Sequence, residues 1–287
     1  MGGQLSLWQQ SFPPKPQWGV NDIPDLTGKV ILVTGKTGIG KETVKHLLAH
    51  NAKVYLAARS AQRANEAIAE LKNETGKQAI FLQLDLSDIS AVRKSAQEFL
   101  SKESQLHVLI NNAGVMVPPK EQVTVQTYDM QFGTNVIGNY LSSSGHWLLT
   151  ELLLPALFAA TDASPSHEKA RIVTGLDFDP LADGPTRTRY GELELYNKSK
   201  FGNVDVACEL ARRYGDKIVS TSLNPGNIRT ELQRSMPGWQ STIVNRIMYP
   251  PSKGALTQLY CVTAPSAVDA NGKFFIPWAL ASRTRPL

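Results

Sequence analysis

Tyr196 and Lys200 stand four residues apart in Leu193–Tyr214, a stretch whose apolar spacing predicts a long helix. Residues i and i+4 share a helix face, so the phenol and the ammonium point the same way. An ammonium beside a phenol favours the phenolate and draws the tyrosine pKa from about 10 toward the working pH. A tyrosine so placed can give or take a proton while hydride moves to or from a carbonyl carbon. Ordinary exposed helix faces carry the same spacing, so the pair gains meaning from what precedes it.

What precedes it is Thr34-Gly35-Lys36-Thr37-Gly38-Ile39-Gly40, set between an apolar run and a helical pattern. Glycines at a strand-to-helix turn let a pyrophosphate approach the backbone, and the helix N-terminus offers it N–H groups and a partial positive charge. The second strand ends Ala57-Ala58-Arg59-Ser60, where an NAD site usually carries an acid for the ribose 2′-hydroxyl. Arg59 and Lys36 are cations that could reach a 2′-phosphate, which favours NADP(H). Leu84-Asp85-Leu86 closes the third strand, where Asp85 could accept from an adenine amino group and Asp88 could cap the next helix. Asn111-Asn112-Ala113-Gly114 closes the fourth with small residues and side-chain amides suited to a ribose passing close by.

The elements that must position these residues alternate along the chain. Short apolar runs predict strands at Val30–Thr34, Val54–Ala58, Ile80–Leu84, Leu106–Ile110, Ile172–Thr174, Ile218–Leu223 and Lys273–Ile276. Helical patterns lie between them at Lys41–Ala49, Ala61–Leu71, Ala91–Leu100, Val125–Asn135, His146–Leu157, Leu193–Tyr214 and Lys253–Cys261. Strands apolar on both faces belong in a parallel sheet covered by helices on both sides. The expectation is an α/β fold: a single-domain Rossmann fold with a doubly wound parallel sheet of about seven strands. Residues 1–25, rich in Pro, Gln and Trp, predict an extended arm ahead of one domain over 26–287.

Composition narrows the classes. The 287 residues are 42% hydrophobic and 19% charged, as in a globular protein with a real core. The net charge of +5 is dispersed, with no Lys/Arg run and no basic-aromatic interleaving, so no nucleic acid is expected as a partner. Cys208 and Cys261 have neither CxxC nor metal-ligand spacing, so they read as reduced thiols of an intracellular, cytoplasmic protein and no metal is expected. The N-terminus lacks the pattern of a signal peptide. His146–Ala160, the most apolar stretch, is interrupted by Glu151 and Pro155 and falls short of the roughly 20 residues of a membrane span. Met1-Gly2-Gly3-Gln4-Leu5-Ser6 fits an N-myristoylation pattern, which leaves membrane association open beside a plain flexible leader.

Taken in order, Thr34–Gly40, Asn111–Gly114, Asn135, Tyr196/Lys200 and Pro225-Gly226-Asn227-Ile228-Arg229-Thr230 resemble the short-chain dehydrogenase/reductase family from about Leu26 to Ala279. The Phe12–Pro16 arm, Asp25–Lys29 and Gly272–Trp278 are similar to its retinol-dehydrogenase-like branch, especially fungal members. The resemblance implies an oxidoreductase with Tyr196 as acid/base, Lys200 as ribose-binding pKa modulator and Asn135 as holder of a relay water. It also implies nicotinamide-side contacts from Pro225, Gly226, Ile228 and Thr230.

The sequence departs from the family pattern in four places. The glycine loop is one residue short, since only Lys36 and Thr37 separate Gly35 from Gly38. The serine expected after the fifth strand is missing from Arg171-Ile172-Val173-Thr174-Gly175-Leu176-Asp177. Ser142-Ser143-Ser144-Gly145-His146 interrupts what the family joins as one helix; it reads as an insertion with a break at Gly145, or as a segment folding back to supply the lost hydroxyl. The chain stops at Leu287, soon after the last strand, where relatives carry a further helix.

Two functions are therefore expected. One is NADP(H)-dependent interconversion of a carbonyl and a secondary alcohol on an apolar small molecule, with Phe178, Met236, Trp239, Ile243 and Met248 in the substrate-facing segments Leu176–Arg189 and Gln233–Tyr249. The alternative is a dinucleotide-binding pseudoenzyme or repurposed non-redox sibling, impaired by the missing serine. The resemblance implies a homodimer through Val125–Asn135 and His146–Leu157; the Asn139–Gly145 interruption leaves a monomer as the other expectation.

Overall fold

The computed structural model describes residues 13–115, 118, 119, 121–130, 134, 145–166, 168–175, 191, 204–229 and 248–281. Each early strand is apolar at nearly every position, and both of its faces are covered. In β1 (Val30–Thr34), Ile31 and Val33 enter one core while Val30 and Leu32 enter the other. In β2 (Lys53–Ala58), Val54, Leu56 and Ala58 side with the first core and Tyr55 and Ala57 with the second. That alternation requires helices on both faces of the sheet.

The remaining strands are β3 (Ile80–Gln83), β4 (Val108–Asn111), β5 (Ala170–Gly175), β6 (Ile218–Leu223), β7 (Phe274–Ile276) and β8 (Leu280–Ala281). The sheet order is β3-β2-β1-β4-β5-β6-β7-β8. The first seven run parallel, and β8 adds a short antiparallel edge through Phe275–Ala281 and Ile276–Leu280. The doubly wound parallel sheet is the one expected; β8, two residues long, carries no periodic signal and was not.

Helices α1 (Gly38–Ala49), α2 (Ala61–Thr75) and α6 (Pro251–Thr263) cover one face. Helices α3 (Ile89–Lys102), α4 (Gly145–Asp162) and α5, described over 204–214, cover the other. The strand order reverses direction at β1/β4, and the C-terminal edge there is where open α/β sheets bind ligands.

The expected helix Val125–Asn135 is corrected at its start. Val123 and Asp129 form an antiparallel bridge instead, and Thr127 sits at φ 63°. The Thr124 hydroxyl accepts from Tyr128 N at 3.1 Å, while Thr124 N donates to Tyr128 O at 2.8 Å. A threonine that bonds the backbone locally competes with helix formation, and helical structure resumes at Met130. Ahead of the sheet, Ile23 is buried and Trp18 stands edge-on to Tyr260 at 5.6 Å, so Trp18, Val20 and Ile23 fasten the end of the arm to the core.

Candidate functional site

The glycine segment is built from the end of β1. Thr34 is fully buried, and its hydroxyl accepts the N–H groups of Asn112 and Ala113, each at 2.9 Å. With both lone pairs so engaged, its single proton is left for His146 Nε2 at 2.9 Å or the Ile110 carbonyl at 3.3 Å. Thr34 thus ties together β1, β4 and the start of α4, where Gly145 lies so close to Leu86 that a Cβ would stand 2.6 Å from the Leu86 carbonyl oxygen.

After Thr34 the backbone turns at Gly35, where φ is 99°, and α1 begins at Gly38, where φ is 55°. The helix was expected from Lys41. Starting it at Gly38 leaves only three residues between strand and helix, which is how the short loop is accommodated. The first N–H groups of a helix have no acceptor within it. Side chains are excluded around them: a Cβ at Gly40 would stand 2.5 Å from Asn112 Nδ2 and 2.7 Å from Gly35 O. A Cβ at Gly35 would meet the same nitrogen at 2.8 Å. The junction therefore exposes backbone at its glycines beside a helix N-terminus, a donor set suited to phosphate.

Those of the other expected residues that are described lie along the same strand ends. Arg59 follows β2 and is exposed, its carbonyl held by Gln83 Nε2 at 2.7 Å. Lys36 is half-buried in the loop. Asp85 Oδ1 accepts the N–H and hydroxyl of Ser87 at 3.0 and 2.6 Å, forming a local turn, while Asp88 caps α3 by accepting from Ser90 N at 2.9 Å. Leu86 is buried, and Ala113 and Gly114 are half-buried. Beyond β6, Asn224 Oδ1 accepts from Gly226 N at 2.9 Å, and Gly226 turns at φ 89°. There a Cβ would stand 3.0 Å from Pro277 Cγ. Ile39 and Ile228 meet over Gly254 of α6, whose Cβ would lie 2.9 and 2.8 Å from them. The loop and the segment after β6 are thus in one place.

Asn135, Tyr196, Lys200, Thr230 and Ser142–Ser144 lie outside the described residues, as do Gly2, Phe178, Met236, Trp239 and Ile243. Thr174, the hydroxyl nearest in sequence to the missing serine, lies inside β5; it is buried, and its Oγ1 donates to Thr221 O at 3.5 Å.

Sequence reasoning missed four residues around this edge. His146 was read only as the end of the Ser142–His146 segment, and Gly254 only as part of the helical pattern Lys253–Cys261. Gln258 was read only as part of the same helical pattern. Trp278 is 6% exposed, packs edge-on to Tyr249 at 4.9 Å, and its Nε1 is buried with no hydrogen-bond partner among the described residues.

A cavity of about 270 Å³ lies at the opposite end of the strands, lined by Leu26, Lys29, His107, Glu168 and Arg171 among others. Its charges answer one another. Lys29 pairs with Glu168 at 2.7 Å, and Arg171 Nη1 donates to Ala264 O at 2.8 Å. Among the described residues no group of His, Cys, Asp and Glu could hold a metal ion, and no helix is long and apolar enough to cross a membrane.

Comparisons with known proteins agree with this geometry. The sequence model of a family described as short chain dehydrogenase matches residues 29–174. A protein of Armillaria gallica named short-chain dehydrogenase/reductase is 55% identical over 296 residues, covering 99% of this chain and 93% of that one. Human retinol dehydrogenase 11 is 36% identical over 264 residues, covering 87% and 77%. Among solved structures, the Pseudomonas aeruginosa RhlG/NADP active-site complex superposes with a TM-score of 0.68 at 22% identity, covering 88% of this chain and 95% of that one; that likeness concerns the fold alone.

Proposed function

This chain belongs to the short-chain dehydrogenase/reductase family, a family of oxidoreductases, and from that premise we propose that it moves hydride between NADP(H) and a carbonyl or secondary alcohol on an apolar small molecule. The observation that carries the reading is the junction of β1 and α1, which has no side chain at Gly35, Gly38 or Gly40, and where Asn112 fills the space any Cβ at Gly35 or Gly40 would need. The residues present fit a dinucleotide. Thr34–Gly40 with Asn112–Gly114 would hold its phosphates and ribose, and Asp85 and Leu86 would border the adenine. Lys36 and Arg59 would answer a 2′-phosphate, which favours NADP(H) over NAD(H). Pro225, Gly226, Ile228 and Thr230 would line the nicotinamide end. The nicotinamide, when bound, supplies or accepts the hydride.

The chain's own part is the proton. In reduction, the Tyr196 hydroxyl gives its proton to the carbonyl oxygen, and in oxidation the tyrosinate takes one from the alcohol. Lys200 lowers the phenol pKa, and Asn135 holds the water that returns the proton. Met248, Tyr249 and Trp278 near the Ile228 segment give the site an apolar border that suits an apolar substrate.

A second reading is favoured by one observation: the Thr174 hydroxyl is buried and turned to Thr221, and no serine follows it in β5. Without that donor a dinucleotide binder with impaired turnover results; loss of one donor at a reacting oxygen costs roughly 10²–10³ in rate. Consumption of NADPH with a panel of carbonyl compounds tests both readings. Turnover in the parent that falls by about 10³ in Tyr196→Phe supports the oxidoreductase. Equal turnover in the two overturns the role of Tyr196, and NADPH binding without turnover supports the second reading.

A further inference from the structure

Helices α1 and α6 meet through two rungs. The first is apolar: Ile39 of α1 rests on Gly254 of α6. The second lies one turn along each helix, at Thr43 and Gln258, and it is polar. Thr43 is fully buried and Gln258 is 6% exposed. Thr43 Oγ1 donates to Gln258 Oε1 at 2.9 Å, Gln258 Nε2 donates to Asn112 Oδ1 at 3.0 Å, and Asn112 Nδ2 donates to the Thr34 carbonyl at 2.9 Å.

The chain of bonds has one direction. The Thr34 carbonyl only accepts, so Asn112 must turn Nδ2 toward it and Oδ1 away. Gln258 must then turn Nε2 toward Asn112 and leave Oε1 for the Thr43 hydroxyl. Rotating either amide by half a turn would set like atoms face to face. A carboxylate of the same shape has no hydrogen for Asn112, and an aliphatic side chain serves neither neighbour. Asn112 Nδ2, whose place is fixed by this chain, is the same atom that stands against Gly35 and Gly40.

We propose that Gln258 is a positioning residue for the dinucleotide site: it fixes Asn112, and through it the distance between the start of α1 and the ends of β1 and β4. Gln258 acts through its hydrogen bonds to Asn112 and Thr43, one residue behind the backbone that would contact a cofactor. In a loop one residue short, that distance has little slack, because only Gly35, Lys36 and Thr37 join strand to helix. The proposal rests on the reading that the dinucleotide binds at this junction.

Amide hydrogen exchange on the apo protein tests it first, with no cofactor present. In Gln258→Leu and in Thr43→Val, exchange over residues 34–44 and 110–115 should rise on the order of tenfold, as expected for loss of a buried hydrogen bond. Thr263→Val removes a different buried hydroxyl of α6, bonded to Leu259 O at 2.7 Å, and should leave those segments unchanged. NADPH titration is the second arm. Gln258→Leu and Gln258→Glu should weaken binding about tenfold, with the loss in Kd and in KM for NADPH instead of kcat. Thr43→Ser should restore what Thr43→Val loses. The double variant Gln258→Leu/Thr43→Val should be no worse than Gln258→Leu alone, because both break one chain.

Parent-like exchange and parent-like Kd in Gln258→Leu would overturn the proposal, as would additive losses in the double variant. If Gln258→Leu does not fold, Thr43→Val carries both arms. If the parent itself binds no NADPH, the functional reading falls, and the exchange arm still decides whether Gln258 sets the loop.

Discussion

The two ends of β1 solve the same problem in opposite ways. At its N-terminal end, Lys29 pairs with Glu168, Arg171 is buried on the Ala264 carbonyl, and His107 Nδ1 accepts from Val30 N at 3.0 Å. Full charges are brought together there and neutralised within the chain. At its C-terminal end, Thr34, Asn112, Gln258 and Thr43 form a neutral network that holds glycine backbone in place beside a helix N-terminus. The cavity at the first end is lined by groups that already have partners, so its size is no guide to function. The second end puts its hydrogen bonds into shaping a surface beside the helix start, whose N–H groups are a donor set suited to phosphate. The polar groups of one edge hold the fold together; those of the other prepare a site.

Four experiments would break or sharpen that contrast. The largest effect should come from Arg171→Leu, which leaves the Ala264 carbonyl short of a partner in a buried place and costs the exposed Glu168 one of its two cations. Urea unfolding should show a loss of about 2–3 kcal/mol, while NADPH affinity of the folded protein stays near the parent value. A comparable loss of affinity would mean that the two ends are coupled. Arg59→Glu should act on the other end alone: stability near the parent's, and a preference for NADPH over NADH reduced about tenfold or more in calorimetric titration. A smaller effect concerns pH. Burial, with the Lys29 ammonium nearby, holds the His107 imidazole below its ordinary range. The unfolded chain therefore binds that proton more readily, so the contribution of His107 is present above about pH 6.5 and is lost as pH falls through its lower folded value. Thermal melting from about pH 7.5 to 5 should decline less steeply in His107→Gln than in the parent, by under about 1 kcal/mol. The smallest should be Glu209→Gln. Arg212 and Arg213 hold the Glu209 carboxylate down to about 2, yet it lies on the exposed face of α5, where ion pairs are screened. Its melting temperature should match the parent's within error at neutral pH.

Much of the fold was legible because the strands are apolar on both faces, which only a covered parallel sheet explains. Ile31 and Val33 against Val30 and Leu32 put that pattern in four consecutive residues. The glycine segment was legible too, since a strand, Gly35, Gly38, Gly40 and a helix leave few alternatives. The turn at Thr124–Asp129 was not, because it depends on one hydroxyl outcompeting the helix for Tyr128 N. His146 and Gln258 were hidden for a related reason: their partners, Thr34 and Asn112, are 112 and 146 residues away, and no spacing along the chain encodes that. The expected roles of Tyr196, Lys200 and Asn135 rest on the sequence and on family membership.

The central claim is that the glycine junction of β1 and α1 is the dinucleotide site. Gly40→Ala tests it most directly, because the added Cβ has no room beside Asn112 Nδ2 and Gly35 O. In calorimetric titration with NADPH, the parent should bind one equivalent and a folded Gly40→Ala variant should bind at least about 100-fold more weakly, as overpacking against backbone forces the cradle open. A variant that binds NADPH as the parent does, or a parent that binds none, would contradict the claim.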